Sequence, residues 1–194
     1  MMEAIDLLIQ RRSVVANNMT GPGPSDEELE TILQAGLRVP DHGRIFPWRI
    51  QILKKDGQAA LGDVYAEAFK KDHPEATDED VEMERQRPQR APIFLAITAY
   101  LNHERAAKVP LMEQKLSGGA LCQNVLNAAH ALGYVAQWIT EWPSYHPDVK
   151  KALGHEVGNE IIGLMYIGTA TEPPSERKRA EIGDVVSEWS GPAA

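Results

Sequence analysis

Two compact basic clusters stand out in an otherwise acidic chain: Arg11-Arg12-Ser13 near its start and Glu176-Arg177-Lys178-Arg179 near its end. A guanidinium presents a planar fork of N–H donors that matches phosphate oxygens, and a serine hydroxyl can add one more. Each cluster taken alone fits a solvated charge run better than a binding site. A third stretch, RVPDHGRIFPWRI over 38–50, packs Asp41, His42, Arg44 and Trp48 around Pro40 and Pro47. It joins a helical pattern to a strand pattern, and a plain connection of that kind needs none of these side chains.

Other chemistries find little support. GPGPSDE (21–27) superficially resembles a dinucleotide-binding glycine loop, but no strand precedes it and proline holds the flexible positions, so it reads as a surface loop. Cys122 lies in GGALCQNVLNAA, among small apolar neighbours with no basic residue nearby, and reads as a buried structural thiol. His42, His73, His103, His130, His146 and His155 form no HxxxH or HExxH pair, and there is no CxxC, so a metal site is not expected. No serine sits in a nucleophile elbow.

The chain has 194 residues, 43% hydrophobic and 25% charged, which suits a single globular domain over 1–194. A net charge of −8 argues against a nucleic-acid backbone binder. One cysteine excludes an internal disulfide and fits a reducing compartment. No apolar run approaches the roughly 20 residues of a membrane span, and MMEAIDLLIQRRS lacks the plan of a secretory leader. The expectation is a cytoplasmic protein with no nucleic-acid or membrane partner.

The elements that must position the basic clusters follow from periodicity. Residues 3–11 read as a short helix with Ile5, Leu8 and Ile9 on one face. Ser25 and Glu28 form a capping box that opens a helix through about Arg38, with Leu29, Ile32, Leu33, Gly36 and Leu37 on its buried side. WRIQIL (48–53) alternates as a strand, and 56–71 reads as a helix. The charge-dense stretch 72–90 is expected to be a solvated helix-and-loop excursion. Strands are expected over 91–101, 134–140 and 161–168, the longest helix over 111–132 with Gly133 as its C-cap, and a short helix over 146–153. From Gly118 to Ala131 that longest helix is nearly apolar all round and rich in Gly and Ala. It sits either at the centre of a monomer core or at a subunit interface. Residues from about 170 to 194 have no core face and read as a C-terminal arm. Helices alternating with strands give a sheet covered by helices.

Four stretches in this order resemble the FMN-dependent nitroreductase family, in particular its short bacterial members. They are AIDLLIQRRSV, ILQAGLRVPDHGRIFPWRI, KLSGGALCQNVLNAAHALGYVAQWIT and IIGLMYIGTATEPPSERKR. The resemblance covers essentially the whole chain. It implies an α+β fold, an α/β/α sandwich with a mostly antiparallel sheet, in an intertwined homodimer with two FMN sites at the subunit interface. It also implies ping-pong transfer of hydride from NAD(P)H through the flavin to a small-molecule acceptor. Flavin carries the chemistry, and no catalytic side chain is implied.

Carried over by position, Arg11, Arg12 and Ser13 match the signature that holds flavin phosphate and ring edge. Arg38 and His42 match positions that approach FMN from the opposite subunit, which would make the 38–48 connection a cofactor wall. Trp138, Ile139 and Thr140 match the strand end along the flavin ring, and Arg177 and Arg179 match the tail that closes on the phosphate. Ala128–Gly133 matches a segment assigned to NAD(P) in the short members, although its residue pattern is helix core. Phe46 stands where many relatives have Gln before Pro-Trp. Glu141 would disfavour negative charge on a nearby ring, so it is expected to point away. Rival readings are a dehalogenase-like flavoenzyme, and a flavin- or tetrapyrrole-binding protein without turnover.

Overall fold

The computed structural model describes residues 3–155 and 158–191. Five strands form one antiparallel sheet: β1 (Met19–Thr20), β2 (Trp48–Leu53), β3 (Ile93–Ala99), β4 (Val135–Ile139) and β5 (Glu160–Ala170). β5 is the hub. It pairs with β3 along one edge, which in turn pairs with β2, while β4 and then β1 pair with the other edge. All seven residues of β3 are buried, because helices cover both faces.

On one face lie α2 (Asp26–Gly36) and α5 (Leu111–Ala131), closing a core of Ile32, Leu95, Ile97, Leu121, Val125, Met165 and Ile167. On the other lie α3 (Lys55–Asp72), α4 (Asp78–Gln86) and α6 (Pro147–Ala152), over Tyr65, Phe94, Val149, Leu164 and Tyr166. This is the expected α/β/α sandwich. The short helices α1 (Ala4–Gln10) and α7 (Ile182–Val185) bury no residue of their own in this chain.

Local signals explain the element ends. Both halves of the Ser25–Glu28 capping box form at the start of α2. That helix ends at Gly36, two residues before the expected Arg38, because Asn124 of α5 donates its side-chain amide to the Ala35 and Arg38 carbonyls. Leu37, expected inside, is therefore 45% exposed. Gly133, at φ +89°, closes α5 in the left-handed conformation that favours glycine. Gly163 lets α5 lie close to the sheet: a Cβ there would sit 2.8 Å from Cys122 Sγ.

One expectation is corrected. The stretch 72–90 is not a free solvated excursion. Its helix α4 docks on α3, where a Cβ on Gly62 would collide with the Arg85 carbonyl oxygen, and Glu84 and Pro88 are buried. Burial of charge is possible there because Arg87 donates Nε to Glu84 Oε2 at 2.6 Å and also pairs with Glu141. On α5 full burial falls on one side of the helix. Gly118, Leu121, Cys122, Val125, Leu126 and Ala129 are buried, while Gly119, Ala120, Gln123 and Asn127 are only half-buried. The arm is exposed from 171 to 190, and its last three residues, 192–194, lie outside the described residues.

Candidate functional site

The chain leaves α1 at Arg11 and runs beside β4. Val14 N donates to the Ala136 carbonyl at 3.4 Å, and Ala16 N donates to Gln137 Oε1 at 2.7 Å. These bonds hold the Arg-Arg-Ser segment against the strand. The arm returns to the same place after β5, anchored where Thr171 donates to the Asn18 carbonyl. Together they enclose a cavity of about 290 Å³ lined by Arg11, Arg12, Ser13, Gln137, Arg177 and Arg179. Two basic clusters more than 160 positions apart in sequence thus share one pocket.

Its electrostatics call for an anion. Burial, then the like charges of Arg179 and Arg12, hold the Arg11 guanidinium below its ordinary value. Arg12 Nη1 is buried and has no hydrogen-bond partner. Glu176 approaches it at 3.9 Å, too far for a hydrogen bond, and is itself largely exposed. Arg11 Nη1 reaches Ser13 Oγ at 3.4 Å. A phosphate monoester would supply both the acceptor that Arg12 lacks and the charge that the four guanidiniums need. The donor set fits such a group.

The other expected residues fall elsewhere. Trp138 turns its ring away from the pocket: Nε1 donates to the Ile162 carbonyl at 2.8 Å, and the ring packs over Gly119 and Gly163. Ile139 packs into the core on the opposite face, and Thr140 is exposed at the strand end. Glu141 does point away, held by Arg87.

Arg38 and His42 are exposed and do not line this pocket; the Arg38 carbonyl accepts from Asn124, midway along α5. His42 Nδ1 meets Glu113 Oε2 at 2.7 Å, at the start of α5, whereas the Arg-Arg-Ser segment touches His130 at its end. Those two points are about 25 Å apart along the helix axis. The turn bearing His42 is organised by Asp41, whose carboxylate accepts from Ile45 N at 3.1 Å and Phe46 N at 3.0 Å. Gly43 sits at φ +72°, while Arg44 and Phe46 both sit at φ +50°. Left-handed backbone at two non-glycine residues is sterically costly and concentrates at functional loops. Trp48 ties the loop down: Nε1 donates to Ser117 Oγ at 3.0 Å, and Ser117 donates to the Pro40 carbonyl at 2.6 Å.

Sequence reasoning missed Gln137, Asp41 and His130. Gln137 carried one legible sign, a polar residue in an otherwise apolar strand. The partners of Asp41, Ile45 N and Phe46 N, lie four and five positions on in the same turn, whereas the Arg12 carbonyl that meets His130 comes from the tertiary fold. Among the described residues no cluster of His, Cys, Asp and Glu could hold a metal, and no helix is long and apolar enough to cross a membrane.

The chain is similar in sequence and in fold to several known proteins. The Nitroreductase family model matches residues 8–169. "Putative NAD(P)H nitroreductase YdjA" of Escherichia coli (strain K12) is 32% identical over 168 residues, covering 87% of this chain and 88% of the relative. "Putative NAD(P)H nitroreductase" of Haemophilus influenzae is 30% identical over 172 residues, covering 88% and 90%. Among solved structures, a nitroreductase-like family protein from Bacillus cereus superposes with a TM-score of 0.83 at 19% identity, covering 98% of both chains. A Desulfovibrio desulfuricans protein described as "a putative nitroreductase in complex with fmn" superposes with a TM-score of 0.72 at 21% identity, covering 99% of both.

Proposed function

Because the chain belongs to the nitroreductase family, a family of oxidoreductases, we propose that it is an FMN-dependent enzyme moving hydride from NAD(P)H to an electron-poor small molecule. Nitroaromatics, quinones and activated enones are the acceptor class, and the order is ping-pong. The observation that carries the reading is the four-arginine pocket with its unpartnered Arg12 Nη1. FMN, when bound, supplies two-electron chemistry that no side chain here provides.

The residues have distinct tasks. Arg11, Arg12, Ser13, Arg177 and Arg179 hold the phosphate. The end of β4, through Trp138, Ile139 and Thr140, offers backbone along the ring, since the Trp138 side chain is committed to the core. His42 serves a site on a second copy, because the length of α5 separates it from the pocket of its own chain, and Arg38, at the head of the same connection, is assigned to that site with it. That requires a homodimer. Uncovered apolar side chains support it: Ile5, Leu8 and Ile9 on α1, Met112 and Leu116 on α5, and Trp189 on the arm, which is 81% exposed. A two-fold arrangement sets the 113 end of one α5 near the 130 end of the other, completing two equal sites. His42 is a positioning group and not an obligatory proton source, since the acceptor's proton can come from water. The lone buried Cys122 is consistent with a cytoplasmic setting.

The test is the absorption spectrum of the purified protein reconstituted with FMN, followed by anaerobic addition of NAD(P)H and then a quinone. Bleaching of the flavin band and its return support the reading. A flavin that binds but is not bleached favours a binding protein without turnover.

A further inference from the structure

His130, in the last turn of α5, makes an unusual pair of contacts. Its Nδ1 lies 2.7 Å from the Leu126 carbonyl oxygen, and its Nε2 lies 2.7 Å from the Arg12 carbonyl oxygen. A neutral imidazole carries one N–H. Either neutral tautomer satisfies one carbonyl and sets a nitrogen lone pair against the oxygen of the other. Only the doubly protonated ring donates to both.

The surroundings oppose that charge. Burial, the largest influence, and the charge of Arg11 push His130 below its ordinary value, while the two carbonyls act to raise it. Arg11 is the one charged side chain that acts directly on the ring, and the other charged groups nearby are engaged with partners of their own. From the 11–13 segment come Arg11 and the Arg12 carbonyl. From the arm come Arg179, which acts on Arg11, and Glu176, which acts on Arg12. From α2, Glu28 is taken up by Ser25 and by Tyr134 at 2.8 Å. The one missing participant is an anion in the pocket, and it would favour the charged ring.

We propose that His130 is a positioning residue whose doubly protonated ring clamps the Arg12 carbonyl, so that FMN binding takes up a proton and flavin affinity falls as pH rises. The inference rests on the assignment of FMN phosphate to the arginine pocket. With the phosphate in place, the imidazolium gains a nearby negative charge, and the Arg12 backbone is fixed with its guanidinium aimed inward. With the ring neutral, one of the two carbonyl contacts is lost; in the Nδ1–H tautomer it is the Arg12 contact, and the Arg-Arg-Ser segment then loosens. The sign follows from linkage: bound phosphate raises the histidine's proton affinity, so binding is tightest below the value in the free protein. The advantage disappears above the value in the complex.

The test is FMN affinity of the full-length protein between pH 5.5 and 8.5, by quenching of flavin fluorescence. Wild type is compared with His130→Gln, which keeps one donor but cannot titrate, and each is also titrated with riboflavin, which lacks the phosphate. The second ionisation of the FMN phosphate affects both proteins alike, so the reading is the ratio of the two affinities. That ratio should fall about tenfold across the range for FMN, one decade for each tenfold change in proton affinity, and stay flat for riboflavin. In ¹⁵N-histidine protein, FMN should shift the His130 ring from the neutral to the doubly protonated pattern at pH 7. Parallel pH profiles together with an unshifted ring overturn the inference while leaving the pocket in place. Arg11→Ala, measured alongside, separates the two levels: unchanged FMN affinity in that variant overturns the pocket assignment, and the inference with it.

Discussion

Replacing Arg12 by methionine should strengthen the empty protein and weaken its hold on flavin. Arg12 Nη1 is buried without a hydrogen bond, and the carboxylate facing it, Glu176, is 3.9 Å away and largely exposed. An exposed pair at that distance contributes little. An unsatisfied buried polar group costs about 1–3 kcal/mol. Methionine keeps the length and apolar stem without the stranded donor. In a protein of this size each kcal/mol recovered raises the melting temperature by roughly 2–4 °C. With FMN the sign reverses. A charge-assisted hydrogen bond to the phosphate is worth about 1.5–3 kcal/mol, so Kd should rise on the order of 10- to 100-fold. The assay is a pair of thermal melts, with and without saturating FMN, beside a fluorescence titration. An Arg12→Met protein that melts below wild type when empty, yet binds FMN as tightly, would refute the reasoning.

Three further outcomes are expected. Burial, the largest influence, pushes the Glu84 carboxyl up, but hydrogen bonds from Arg87 and Trp142 outweigh it and hold it below its ordinary value of 4.5; its contribution is therefore full above that pH and lost as pH falls through the lower folded-state value. Glu84→Gln should flatten the acid limb of urea-melt stability and, by leaving buried Arg87 with Glu141 as its one carboxylate partner, cost about 1–3 kcal/mol at pH 7. Cys122 is fully buried, with its thiol pushed up to about 12 by burial, so a thiol reagent at pH 7 should label it only after denaturant is added. Gly163→Ala forces a methyl to within 2.8 Å of Cys122 Sγ and 3.1 Å of Trp138 Nε1, and should destabilise by about 1–3 kcal/mol in chemical unfolding.

What was legible in the sequence was local or periodic. The Ser25–Glu28 cap, the WRIQIL strand and the glycine after α5 each rest on residues a few positions apart, and each formed as expected. The basic clusters were legible as phosphate forks, although each alone also fitted surface charge; the fold brings them together in one cavity. The stretch 72–90 misled because its charge density suggested solvent. Glu84 and Arg87 neutralise one another, and that depends on Glu141 and Trp142 arriving from beyond β4. Gln137, a polar residue in an apolar strand, and His130, inside the Ala128–Gly133 match, could not be tied to the phosphate pocket for the same reason. Their partners, Ala16 N and the Arg12 carbonyl, lie more than 115 positions away in the chain. His42 was legible as a crowded histidine, but not as one held by Glu113 at the opposite end of α5 from the arginine pocket.

The central claim is that one chain holds the FMN phosphate while a second copy completes the ring site. A crystal structure of the protein grown with FMN tests it most directly. The account predicts phosphate oxygens within hydrogen-bond distance of Arg12 Nη1 and Arg11, with Arg177 or Arg179 closing over them, and His42 of a second copy at the flavin. Phosphate bound away from the Arg-Arg-Ser segment, or a complete flavin site formed by one chain alone, would contradict it.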